Sequence, residues 1–147
     1  MSAISDYLES GVLNHLFRGE DFSAPENISI ALTSEPPIKS QTGETIVEIP
    51  SGVGDNLTGY SRMPISTPAD GDTKWAFELG SGIKNNDQIV FPTALEDWGP
   101  VSGVAVVDSD QYGSGNLLMY SALDNPRNIF VSDTVRYSSE GLEIVLK

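Results

Sequence analysis

The sequence predicts a mainly β fold: an antiparallel β-sandwich of jelly-roll type with one N-terminal α-helix. Three observations lead there. Helical periodicity occurs once, at the start of the chain. After it the apolar residues alternate with a period of two, in short runs. Gly, Pro, Asn and Asp clusters separate those runs at intervals of roughly eight to twelve residues, as in sandwiches and barrels. No second helix-length pattern lies between strands, which excludes a parallel βαβ rhythm. The 147 residues fit a single domain, residues 1–19 forming the helix and residues 27–147 the sandwich.

Residues 2–18, SAISDYLESGVLNHLFR, carry the helix. Ile4, Leu8, Val12 and Leu16 recur every four residues, and Leu13 and Phe17 widen the stripe. Ser2 or Ser5 can cap the first turn, Asp6 and Glu9 suit its positive end, and Gly19 supplies a stop. Gly11 costs the middle about 1 kcal/mol relative to alanine. The stripe has to be buried, either on this domain or on a neighbouring subunit. Leu8, Val12, Leu13, Leu16 and Phe17 are therefore the candidate subunit interface.

NISIALT, residues 27–33, alternates Ile28, Ile30 and Leu32 with smaller residues, the pattern of a half-buried strand. ETIVEI, residues 44–49, is a short strand candidate, and Pro64 makes residues 60–66 an edge or bulged strand. In KWAFEL, Trp75, Phe77 and Leu79 share a face; GSGIKNNDQIVFP is one strand or a hairpin opening at residues 85–87. Further strands are predicted in VSGVAVVD, GNLLMYSAL, NIFVS, TVRYS and LEIVLK. Between Phe91 and Val101 the chain must turn a corner. Pro92 stops the pairing, Trp98 covers the core, and Gly99 and Pro100 set the bend. Val101, Gly103, Ala105 and Val107 would line one face of the next strand, where the small residues admit close packing of another element such as the helix.

The charge is strongly one-sided, with 21 acidic residues against 8 basic and a net −13. Such a chain repels phosphate backbones, so no nucleic-acid partner is expected. The scattered acids make a solvated surface. No run approaches the ~18–20 apolar residues of a membrane span, and MSAISDYLES lacks the pattern of a secretory signal, so no membrane partner is expected. Cys is absent, which removes disulfides and thiol chemistry.

The catalytic inventory is thin. His15 is the only histidine, it lies in the helix, and no G-x-S-x-G elbow accompanies it. Asp70 with Asp72, and Asp108 with Asp110, have a spacing that calcium loops use, but no EF-hand loop follows either pair and both read as turn acids. The glycine clusters lack a following GK[ST]. No enzyme activity, cofactor or metal is expected. Tyr60, Trp75, Phe77, Tyr112 and Tyr120 are candidates for a sugar-stacking face, with core packing as the ordinary alternative.

The order of motifs resembles a known group. ISDYLESGVLNHLFRG running into ISIALTSEPP, then GYSRMPI, IVFPTALEDWGPVSGVAVVDS, GNLLMYSAL and VSDTVRYSSEGLEIVL, are similar to short structural proteins of tailed bacteriophages. That group is often labelled tail-fibre protein, and similar small β-domains serve as capsid cement or decoration proteins. The resemblance implies a non-enzymatic virion component, assembled in the cytoplasm of a bacterial host. Its partners would be other virion proteins, either the major capsid protein or tail proteins. It implies a homo-oligomer, with a trimer favoured, and a cement role on the head lattice as first expectation. A tail or tail-fibre component that attaches to the baseplate or binds host-surface glycans is the alternative.

Overall fold

The computed structural model describes residues 2–51, 58–68, 75–78, 82–139, 141 and 143–144. Strand β1 (Ser2–Ile4) leads into helix α1 (Asp6–Arg18). Then follow β2 (Ile28–Thr33), β3 (Met63–Ser66), β4 (Trp75–Glu78), β5 (Gly82–Asn85) and β6 (Ile89–Val90). The chain continues through β7 (Gly99–Val107), β8 (Leu117–Ile129), β9 (Arg136–Tyr137) and β10 (Glu143–Ile144). A five-stranded sheet has the order β1-β8-β7-β2-β3, beside a three-stranded sheet β10-β5-β4 and a two-stranded sheet β6-β9. Every pairing among these strands is antiparallel. The fold is mainly β with one N-terminal helix, as the alternation and the single helical stripe predict.

The helix starts later than its periodicity suggests. Residues 2–4 pair with Ser121, Tyr120 and Met119 of β8, because that sheet edge offers free ladder groups. Ser5 then caps α1, its Oγ accepting from the Leu8 N–H at 3.1 Å. Gly19 closes the other end at φ 66°, where its N–H reaches the Asn14 carbonyl. Gly11 makes room for Phe22, which folds back against the helix. A Cβ at position 11 would collide with the Phe22 ring.

Strand β2 is buried on both faces and not on one. Ile30 and Leu32 join the main core, while Ala31 packs with Ile46, Ala105, Val107 and Leu117 on the reverse side. The segment ETIVEI supplies that reverse cover, and it is not a strand. Among the described residues its ladder contact is an isolated bridge between Thr33 and Glu48, with Ile49 N–H on the Leu32 carbonyl at 3.1 Å. Pro64 does mark an edge strand, with a register shift at Ile28/Ser29 opposite it. Residues 82–90 are neither one strand nor a hairpin: they divide at Asn85–Asp87, and β5 pairs with β4 and β10 while β6 pairs with β9. The side chains of Phe77 and Leu79 lie outside the described residues.

GNLLMYSAL and the first two residues of NIFVS form one strand, which ends at Ile129. β8 runs through Asp124, Asn125 and Pro126, which read as a turn in sequence. Opposite β7 the register jumps from Gly103↔Ala122 to Val101↔Arg127, so residues 123–126 oppose Ser102 alone. Pro126 is tolerated in this bulge because β1 pairs with β8 only as far as Ser121. The same irregularity reverses a side-chain face. Val101 falls in the main core with Val104 and Val106, whereas Ala105 and Val107 face the second cluster. Gly103 does admit a close neighbour, which is the loop and not the helix. A Cβ there would lie 2.6 Å from Pro37 Cδ and 2.6 Å from Thr33 Oγ1.

Trp98 covers the core at the corner, whereas Gly99 and Pro100, expected to set the bend, already belong to β7, opposite Ile129 and Asn128. Trp98 is 4 % exposed, packs edge-on to Tyr60 at 5.5 Å, and donates its indole N–H to the Thr58 carbonyl at 2.8 Å. Gly99 opens β7 at φ 75°, a conformation glycine holds without strain. Pro100 follows in the strand and faces solvent. Asp97 joins this corner to the next turn by accepting from the Val131 N–H at 2.9 Å.

Beside Tyr60 lies a buried polar network. Arg62 donates from Nε to Glu48 Oε1 at 2.9 Å and from Nη2 to Glu48 Oε2 at 3.0 Å. Its remaining N–H groups reach the carbonyls of Gly43 at 2.8 Å, Ser109 at 3.0 Å and Ser114 at 2.8 Å. Tyr60 donates to Glu48 Oε1 at 2.6 Å and accepts from the Leu32 N–H at 3.0 Å. Burial, followed by the adjacent Glu48 charge and the hydrogen bond to it, raises the Tyr60 hydroxyl well above the ordinary 10.0.

Two outcomes follow from this packing. Trp98→Ala should cost about 3–5 kcal/mol, read as a lower urea midpoint with little change in slope. Stability should also fall as pH rises past about 10. Below that value both states hold the Tyr60 proton and its contribution is complete. Above it the unfolded chain releases a proton that the native state keeps, so the contribution is lost progressively toward the native pKa. A urea midpoint unchanged across that range would contradict the network as described.

Candidate functional site

Helix α1 is fixed at one end and bare at the other. At its start, Ser5 N–H donates to the Leu118 carbonyl at 2.9 Å, Ser5 Oγ donates to the Leu117 carbonyl, and Asp6 N–H donates to Lys39 O at 3.0 Å. Lys39 Nζ also pairs with Glu9, and with Asp6 at 3.5 Å. The hydrogen bond to Glu9 and the two carboxylate charges raise the Lys39 pKa above 10.5 against a smaller opposing effect of desolvation. An ammonium held over the acidic first turn ties the 34–43 loop to the helix. Such an exposed pair orients more than it stabilises.

Leu8, expected at a neighbour's surface with the rest of the stripe, instead packs on the domain's own core beside Ile4. Beyond it the apolar residues have no such cover. Val12 is 38 %, Leu13 48 %, Leu16 68 % and Phe17 81 % exposed, and no residue of α1 is fully buried. Phe22 covers a different face, through its contact with Gly11 and a tilted ring pair with Tyr7 at 6.1 Å. The helix thus presents four adjoining apolar side chains to solvent on a mount that the sheet holds. Contiguous apolar surface of this kind marks an interaction site more often than scattered single residues do.

The polar candidates are occupied locally. His15 Nδ1 lies 2.8 Å from the Glu20 carbonyl, just beyond the helix end. Asp108 accepts from the Asn116 N–H at 2.6 Å and from Asn116 Nδ2 at 2.9 Å, closing the β7–β8 connection. Its loop partner Asp110 accepts from Gln111 Nε2 at 3.1 Å. Asp70 and Asp72 lie outside the described residues. Among the described residues no cluster of His, Asp and Glu is arranged to hold a metal ion.

The aromatic candidates separate. Tyr60 is core, Tyr120 packs on the reverse cluster, and Tyr112 stands edge-on to Tyr60 at 6.2 Å while 43 % exposed. Trp75 differs. It is half-buried against the core and lines a groove of ≈ 240 Å³ between β3, β4 and the β5–β6 link. Asn85, Asp87 and Gln88 line the same groove. The sequence singles out Trp75 but not the groove, because its walls come from three separate segments, residues 63–65, Trp75 and residues 85–90, that only the fold brings together.

A family model described as podophage GP4 fiber I protein gp80 matches residues 3–145. The chain belongs to this family. No curated protein matches it. It is therefore a phage virion structural protein of tail-fibre type, as the motif order from Ile4 to Leu146 suggests. No helix among the described residues is long and apolar enough to cross a membrane.

Because Leu16 and Phe17 contact little of their own domain, Leu16→Ser with Phe17→Ser should leave folding stability within about 0.5 kcal/mol per site. Thermal unfolding of the isolated protein measures this. A large loss would mean that the end of α1 belongs to the domain core.

Proposed function

We propose that this protein is a non-enzymatic subunit on the tail side of the virion, a fibre component joined to its neighbours through the exposed end of α1. The observation that carries the reading is family membership across residues 3–145, joined to an apolar helix face that the domain leaves open. The family description names a fibre, which favours the tail over the head-lattice cement role that is the first expectation from sequence. The engagement of His15 in the helix end and of Asp108 in a turn supports a binding role over a catalytic one.

The partner at α1 is another virion subunit, either a further copy or a tail protein. A homo-oligomer, with a trimer as the expected form, would bury Leu13, Leu16 and Phe17 between copies. Assembly would take place in the cytoplasm of the bacterial host. The acidic surface would keep exposed faces of finished particles apart.

Gold-labelled antibody against this protein, viewed by electron microscopy on intact virions, should decorate the tail. Label spread over the head would overturn the tail assignment. The Leu16→Ser, Phe17→Ser variant should fold but fail to enter particles. Its normal incorporation would remove α1 from the interface.

A further inference from the structure

We infer that the groove beside Trp75 is a saccharide site for an uncharged pyranose ring. The inference rests on the tail-side reading above and deepens it, by naming what a fibre component would contact on a host surface. Three features of the groove lead to it.

The first is the wall. Trp75 is packed against the core while it lines the groove, so a flat indole is held in place before any ligand arrives. A preset aromatic plane favours a ligand with an apolar face and loses little entropy on binding. Met63, Ile65 and Ile89 continue this surface, and such side chains suit the C–H face of a sugar ring.

The second is the rim. Asp87 and Gln88 are both exposed and both line the groove. A carboxylate accepts hydrogen bonds from neighbouring hydroxyls, and a carboxamide both donates and accepts. The link that carries them is fixed: Asn85 Nδ2 donates to the Asp87 carbonyl at 2.7 Å and to the Ser138 carbonyl at 3.0 Å. Few polar groups around a mostly apolar hollow is the usual composition of a small-molecule site.

The third is size and charge. At ≈ 240 Å³ the groove is smaller than a drug-sized site of roughly 300–1,000 Å³, which suits one ring of a longer chain. Among the described residues no Lys, Arg or His lines it, and Asp87 adds negative charge to a protein already at −13. Phosphates and anionic sugars are disfavoured there, and uncharged hexoses are not.

Saturation-transfer NMR on the purified full-length chain tests this, with methyl glycosides of glucose, galactose and mannose, N-acetylglucosamine, and glucuronic acid as the anionic comparison. At least one neutral ring should receive saturation, and glucuronate should receive less. Asp87→Ala or Gln88→Ala, both at exposed positions, should weaken binding about tenfold, the loss of one good hydrogen bond. Trp75→Ala should abolish it, with circular dichroism checking the fold. Should that variant unfold, the two rim variants decide alone. The Leu16→Ser, Phe17→Ser variant should bind sugar normally. No saturation of any neutral ring, or binding unchanged in both rim variants, would overturn the site. Label on the tail together with no sugar signal would sink this inference alone and leave the fibre assignment standing.

Discussion

The buried pair of Arg62 and Glu48 holds the fold together. Both side chains are almost wholly removed from water, at 0 % and 3 % exposure. A charge in that position is tolerable only when paired and fully hydrogen-bonded. The geometry meets this demand by recruiting separate segments of the chain. The carboxylate comes from the 34–51 segment, the guanidinium from just before β3, and carbonyls from Gly43 and from the β7–β8 connection at Ser109 and Ser114. Tyr60 extends the network to the β2 backbone. A long irregular segment is thereby fastened across the sheet, where it buries Ile46 and Ile49.

That fastening sets the shape of everything outward from it. With the 34–51 segment in place, Lys39 stands where it can meet Asp6 and Glu9, and the start of α1 is clamped between that loop and β8. The clamp ends at about Leu8. The later turns of the helix carry Leu13, Leu16 and Phe17 away from the sheet, which no propensity or capping rule would require. An apolar face on a rigid mount suits a subunit whose stability in the particle comes partly from its neighbours.

The two candidate surfaces are built differently. The α1 face is apolar, which fits permanent association between proteins. The Trp75 groove is smaller and carries an acid and an amide at its rim, which fits reversible contact with a hydroxylated ligand. On the proposed reading, one would assemble the particle and the other would meet what lies outside it. Both are compatible with membership of a phage fibre family.

By itself the sequence determined the mainly β class, the single helix with its stop at Gly19, an irregular or edge strand at Pro64 and the tryptophan that covers the core at residue 98. These depend on periodicity, capping and turn chemistry, which are local and written in adjacent residues. The motif order was enough to point to the phage family. Tertiary structure alone decided that residues 2–4 are a strand, because a free edge of β8 lies beside them. It decided that ETIVEI is a wall, since Glu48 meets Arg62 across fourteen residues of chain that no pattern connects. It also carried β8 through Asp124–Pro126, where a bulge absorbs what reads as a turn. The interface stripe was legible as apolar residues at helical spacing. Which of them remained exposed depended on where the sheet stopped supporting the helix, and that is a matter of long-range packing.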